Sequence, residues 1–203
     1  VFKMYNLYKE YNKRNKVIKS RLQDFKKIKG DDTFYELCFC ILTPQSSGFR
    51  ADECIQELKK LDFLNKNINP KPILRKKIRF HNNKTKYLQE LKRNYKLISK
   101  KLQTEKDIKG LQSWMLKNIK GYGMKETNHA LRNLGFTNLA ILDRHILKNL
   151  KRYNVIKELP KSLTNKKYDE IEGKFKSFSK KIKIPMDELD LLFWAQETGK
   201  VFK

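Results

Sequence analysis

Cysteine is scarce in this chain, and the little there is excludes two common stabilising devices. Cys38, Cys40 and Cys54 are odd in number, fall within helical patterns and lack metal-ligand spacing. Buried free thiols in a reducing compartment are therefore expected, rather than a disulfide framework or a zinc site. No apolar run reaches the ~18 residues of a membrane span, and no stretch reads as a secretory leader. Strand alternation, internal repeats and low-complexity segments are missing too, so the expected fold is all-α. Acidic residues are outnumbered, 22 against 47 basic ones, for a net charge of +25. Such a field favours nucleic acid or another acidic surface and says nothing of the fold. Much of it is lysine on solvated helix faces, as at Lys76-Lys77 and Lys100-Lys101, and a ribosome-associated protein would share the balance. With 39% apolar residues in 203, the chain can build one compact unit or two small subdomains.

What is present is a succession of amphipathic helices. Ile18, Leu22, Phe25 and Ile28 share one face of an N-terminal helix. Gly30-Asp31-Asp32 breaks the pattern, and Asp32 or Thr33 is placed to cap a buried helix over 34–42. Leu42-Thr43-Pro44-Gln45-Ser46-Ser47-Gly48 follows as a polar loop, with Ser47 in position to cap the next helix. After the break at Asn69-Pro70-Lys71-Pro72, Arg79-Phe80-His81-Asn82-Asn83-Lys84 leads into a long helix. Basic-aromatic interleaving of this kind suits a nucleic-acid surface, although a buried Phe80 is the commoner outcome. Pro160 marks a boundary, residues 161–183 form a basic amphipathic helix, and Pro185 opens the last helix. On that helix Asp190 and Trp194 lie i, i+4, hence on one face. They form either a platform for a flat, donor-rich heterocycle or a core indole with a carboxylate at its rim.

Two of the eight glycines, Gly121 and Gly123, sit one residue apart between helical patterns, which reads as helix, tight turn, helix. The first amides of the second helix then point outward at its positive end, an anion site whose natural occupant in so basic a chain is a phosphate. Lys125 starts that second helix. Asp143 follows the apolar run Leu139-Ala140-Ile141-Leu142 and is placed to cap a helix over 144–150. One helix and a loop suffice to bring its carboxylate back towards the lysine.

Ile119-Lys120-Gly121-Tyr122-Gly123-Met124-Lys125-Glu126, followed by Leu142-Asp143-Arg144-His145-Ile146, resembles the helix-hairpin-helix signature of the base-excision DNA glycosylases. Nearly the whole length resembles the archaeal-type, second-class 8-oxoguanine DNA glycosylase/AP lyases. The short ending Gly199-Lys200-Val201-Phe202-Lys203 and the absence of the Cys-rich tail that holds a cluster in some related glycosylases point to that branch. The resemblance implies two helical subdomains, 1–29 with 137–203 and 30–136, and an active site in the cleft between them. It implies Lys125 as nucleophile and Asp143 as the carboxylate that assists it. Pro44 and Gln45 would line the base pocket, and Lys203 would help to recognise the oxidised base, with Asp190 and Trp194 offered as its platform. Phe80, with His81 beside it, would enter the duplex where the base leaves, and Gly121 and Gly123 would hold a phosphate. No cofactor or metal is implied. The expected partner is double-stranded DNA carrying an oxidised base, met by an intracellular monomer. A lyase for oxidised pyrimidines would share Lys125 and Asp143 and differ in the pocket; a non-catalytic hairpin module would need neither residue.

Overall fold

The computed structural model describes residues 2–203, and among them every regular element is an α-helix, ten in all. By contacts the chain divides into two units, one combining the residues up to Lys27 with Leu131–Lys203, the other spanning Ile28–Ala130.

The central unit is built around α2 (Asp31–Leu42), which is buried from Phe34 to Leu42 and apolar there except at Glu36. It packs on α3 (Gly48–Lys60) and on the long α5 (His81–Thr104), with the short α4 (Lys71–Arg75) laid against both of those. Phe34 meets the rings of Tyr35, Phe63 and Tyr95 at centroid distances of 5.2, 5.9 and 5.0 Å, spacings at which aromatic edges and faces attract. Cys38, Cys40 and Cys54 are buried free thiols. The cap of α2 differs from the expectation: Gly30, at φ 61°, is the capping residue, and Asp31 and Asp32 already occupy the first turn, where the helix dipole favours them. Ser47 does precede α3, but its side chain makes no capping bond.

The other unit is centred on α10 (Met186–Thr198), whose Leu189, Leu192 and Phe193 are fully buried. Against it pack α1 (Phe2–Lys26), α8 (Arg144–Arg152) and α9 (Asn165–Ile182). Phe193 stacks between Tyr153 and Phe175 at 5.5 and 6.0 Å. The last helix ends at Gly199 in the left-handed conformation. Two helices complete the chain, α6 (Ile108–Asn118) and α7 (Met124–Asn133). The second boundary between units falls within α7, at 130, not at 136. The reason is Arg132, whose guanidinium lies over the Phe25 ring at 4.9 Å and pairs with Asp190 at 3.2 Å, anchoring the end of α7 to the first unit.

Candidate functional site

In the central unit, α6 and α7 form the two arms of the hairpin. Asp107 caps α6 by accepting from the amides of Lys109 and Gly110 at 3.2 and 2.8 Å. The turn closes with the Tyr122 amide donating to Ile119 O at 3.2 Å. Tyr122 is buried and its hydroxyl donates to Leu37 O at 2.9 Å, which pins the turn to α2. Gly121 has φ +86°, and a Cβ there would lie 2.7 Å from the Tyr87 ring. Both facts demand glycine. Gly121→Ala is therefore expected to cost about 1–3 kcal/mol in thermal or urea unfolding. At Gly123 an added Cβ would meet only the flexible end of Glu126, so Gly123→Ala should cost less than about 1 kcal/mol.

Lys125 stands in the first turn of α7, half-buried, with its Nζ 3.2 Å from Glu126 Oε1. The other carboxylate oxygen, Oε2, accepts from the Gly123 amide at 3.0 Å. Glu126 thus completes one half of a capping box and holds the lysine with the same group. The Gly123 amide is engaged by Glu126 in this structure, and the outward amides of the first turn beyond it are placed to meet an anion. The Gly-x-x-Glu spacing was available in the sequence as a signal for Glu126.

The Thr43–Ser46 loop lies in the same unit. Pro44 is half-buried, and Gln45 is exposed with φ 54°, a left-handed backbone that a residue with a Cβ rarely adopts. Beneath it Lys84 is buried; burial, together with the nearby Lys125 charge, pulls its pKa down to about 8. The sequence marked Lys84 only as the basic end of an aromatic-basic stretch suited to a nucleic-acid surface, not as a buried cation. At the start of α5, Phe80 is 54% exposed with φ 57°, and the Arg79 guanidinium lies 5.7 Å from its ring centroid. The commoner outcome, a buried Phe80, is not realised, while His81 beside it is half-buried. His129 is buried and meets Phe39 edge-on, a packing role.

In the other unit, Asp143 precedes α8 and caps it: Oδ1 accepts from the amides of His145 and Ile146, both at 2.8 Å. Both bonds fall on one oxygen, which leaves Oδ2 for other chemistry. The run Leu139–Leu142 leading to it is buried without being helix or strand. Its backbone groups are met by α9: Ala140 N donates to Glu172 Oε2 at 3.0 Å, Leu142 N donates to Tyr168 Oη at 3.1 Å, and Tyr168 donates to Ala140 O at 2.5 Å. Buried backbone requires such partners, and these fix where Asp143 begins its helix. In the sequence Tyr168 is simply one position of the basic amphipathic helix expected over 161–183.

Asp190 and Trp194 do not share an exposed face. Asp190 is 4% exposed and turned inward to pair with the buried Arg132 guanidinium, whereas Trp194 is half-buried. Trp194 meets His145 edge-on at 6.5 Å and stacks with Phe202 at 5.8 Å. The tail is thereby tied to α10, and Lys203, half-buried, ends beside a fixed aromatic pair instead of fraying. Burial pushes the Asp190 carboxyl up to about 7 despite Arg132. In the folded state this group binds a proton that the unfolded chain has already lost between about pH 4 and 7. Its contribution to stability is therefore greatest near pH 4 and falls as pH rises to about 7. The difference in unfolding free energy between the wild type and Asp190→Asn should shift against the wild type across that window, by on the order of a few kcal/mol; urea titrations at several pH values check this.

Comparisons with known proteins agree with one another. Residues 18–184 match the family described as 8-oxoguanine DNA glycosylase. An 8-oxoguanine DNA glycosylase/AP lyase of Fusobacterium nucleatum is 45% identical over 96% of this chain and 95% of its own length. The crystal structure of the Methanocaldococcus jannaschii 8-oxoguanine glycosylase/lyase in complex with 15mer DNA containing 8-oxoguanine superposes with a TM-score of 0.90 at 31% identity, covering 100% of each chain. The 8-oxoguanine DNA glycosylase of Thermotoga maritima superposes with a TM-score of 0.88 at 26% identity over 98% of each.

Proposed function

The chain belongs to the 8-oxoguanine DNA glycosylase family, and from that premise we infer how its own residues carry out base removal and strand cleavage. It is an 8-oxoguanine DNA glycosylase/AP lyase, acting on DNA that contains the oxidised base. In this reading it works as a monomer. Chemistry on a base inside a duplex requires the nucleotide to be extruded. Exposed Phe80 is suited to fill the gap left in the stack, and the first-turn amides of α7 to hold a phosphate without reading sequence.

Lys125 is the nucleophile. As a neutral amine it attacks the sugar C1′, forming an N–C1′ bond as the bond from C1′ to N9 of the base breaks; the base leaves and takes up a proton. Opening of the sugar ring gives a protonated Schiff base. Loss of a C2′ proton then expels the 3′ phosphate and nicks the strand, and water releases the lysine from the imine. Asp143 stabilises the positive charge that develops on the sugar, using the oxygen not committed to its helix. Pro44, Gln45, Trp194 and Lys203 are the candidates for recognising the base; Asp190 supports from within.

The observation that carries the lyase assignment to particular atoms is the placement of Lys125 Nζ. It is a lysine in the first turn of the hairpin helix, 23% exposed, held by a carboxylate that also caps that helix. The test is a denaturing-gel assay on duplex DNA with a single 8-oxoguanine. Scission on the 3′ side of the lesion without added base or heat supports the mechanism. Base loss with neither scission nor a borohydride-trapped adduct would assign water, not Lys125, as the nucleophile.

A further inference from the structure

We propose that Lys84 is the positioning residue of the base-reading loop: its ammonium gathers that loop so that Gln45 is held in the backbone conformation from which it meets an extruded base. The inference rests on the placement of Pro44 and Gln45 in the base pocket under the proposed function.

Lys84 lies in the first turn of α5 and is 5% exposed. A buried ammonium is costly unless its protons are met. Here three acceptors meet them: Leu42 O at 2.8 Å, Pro44 O at 2.6 Å and Ser46 Oγ at 3.2 Å. Leu42 is the last residue of α2, where the negative end of the helix dipole favours a cation. Pro44 and Ser46 flank Gln45 on either side. The ammonium therefore grips the peptide before Gln45 and the side chain after it, and the left-handed φ of 54° lies between the two grips. A left-handed backbone at a residue other than glycine persists only where the surroundings hold it. The Ser46 amide closes on Thr43 O at 3.0 Å, and Ser46 Oγ also accepts from the Arg79 amide at 3.2 Å. One lysine and one hydroxyl thus fasten the loop to the end of α2 and to the entry of α5.

An abasic site has no base to be read, yet its cleavage uses the same Lys125. Comparing the two substrates separates a loop-positioning role from general damage, because any effect passed on through Lys125 slows both reactions alike. With the full-length protein under single-turnover conditions, Lys84→Met is expected to slow excision of 8-oxoguanine on the order of 100-fold, while abasic-site cleavage stays within about 3-fold. Ser46→Ala should show the same selectivity with a loss of about 10-fold. Equal losses on the two substrates, or no loss on either, would overturn the proposal. If Lys84→Met does not fold, Ser46→Ala decides alone: a loss confined to 8-oxoguanine supports the role, and parallel rates overturn it. A wild-type protein that cleaves the abasic duplex but leaves 8-oxoguanine untouched would contradict the substrate assignment, and this role of Lys84 with it.

Discussion

Lys125→Gln is expected to abolish cleavage of 8-oxoguanine-containing DNA, lowering the single-turnover rate on the order of 10⁴-fold or more. The amide has a similar length and helix propensity, so α7 is retained. The cap that Glu126 places on the Gly123 amide does not involve the lysine and remains. What is lost is the lone pair. Without it no N–C1′ bond forms, and neither base release through a Schiff base nor elimination at the 3′ phosphate can follow. Binding should be nearly untouched, because Lys125 is one of 47 basic residues and phosphate contacts are shared among many. A gel-shift constant within about 3-fold of wild type, beside a rate lost by orders of magnitude, is the expected signature of an interaction made only in the reaction. A parallel loss of binding would make Lys125 a DNA contact instead.

Asp143→Asn is expected to slow excision on the order of 10²- to 10³-fold while leaving stability nearly unchanged. The separation follows from the geometry. The structural work of Asp143 is done by one oxygen, which accepts the His145 and Ile146 amides. Asparagine keeps an acceptor there and is as good a capping residue as aspartate. What asparagine lacks is the negative charge that opposes the cationic sugar. Asp143→Ala removes both, and should add a stability loss of about 1 kcal/mol to a similar rate loss. Thermal unfolding of the two variants beside their rates makes the distinction. If the asparagine variant retained full activity, the cap would be the whole role of Asp143.

The local parts of this site were legible in the sequence. Gly121 declares its turn by residue type, Lys125 follows at fixed spacing, and Asp143 precedes a helical pattern as a cap does; each depends on neighbours a few residues away. What sequence reasoning missed depends on residues brought together by folding. Lys84 acts on acceptors about 40 residues away, at Leu42 and Pro44. Arg132 and Asp190 are 58 residues apart, and their pairing, which turns Asp190 inward, is not written in either neighbourhood. Tyr168 and Glu172 read as an ordinary helix face until the backbone of Leu139–Leu142 was seen to need them. Phe80 was ambiguous for a related reason, since an aromatic is exposed or buried according to its surroundings, and here a left-handed backbone sets it outward.

The central claim is that Lys125 forms a covalent bond to the sugar beneath 8-oxoguanine. The measurement that tests it most directly is borohydride trapping on duplexes carrying 8-oxoguanine, guanine or thymine glycol. The account predicts a reduced protein–DNA adduct on the 8-oxoguanine duplex, with the cross-link mapped to Lys125 by peptide mass spectrometry. No adduct on any duplex, with salt-sensitive DNA binding intact, would contradict it.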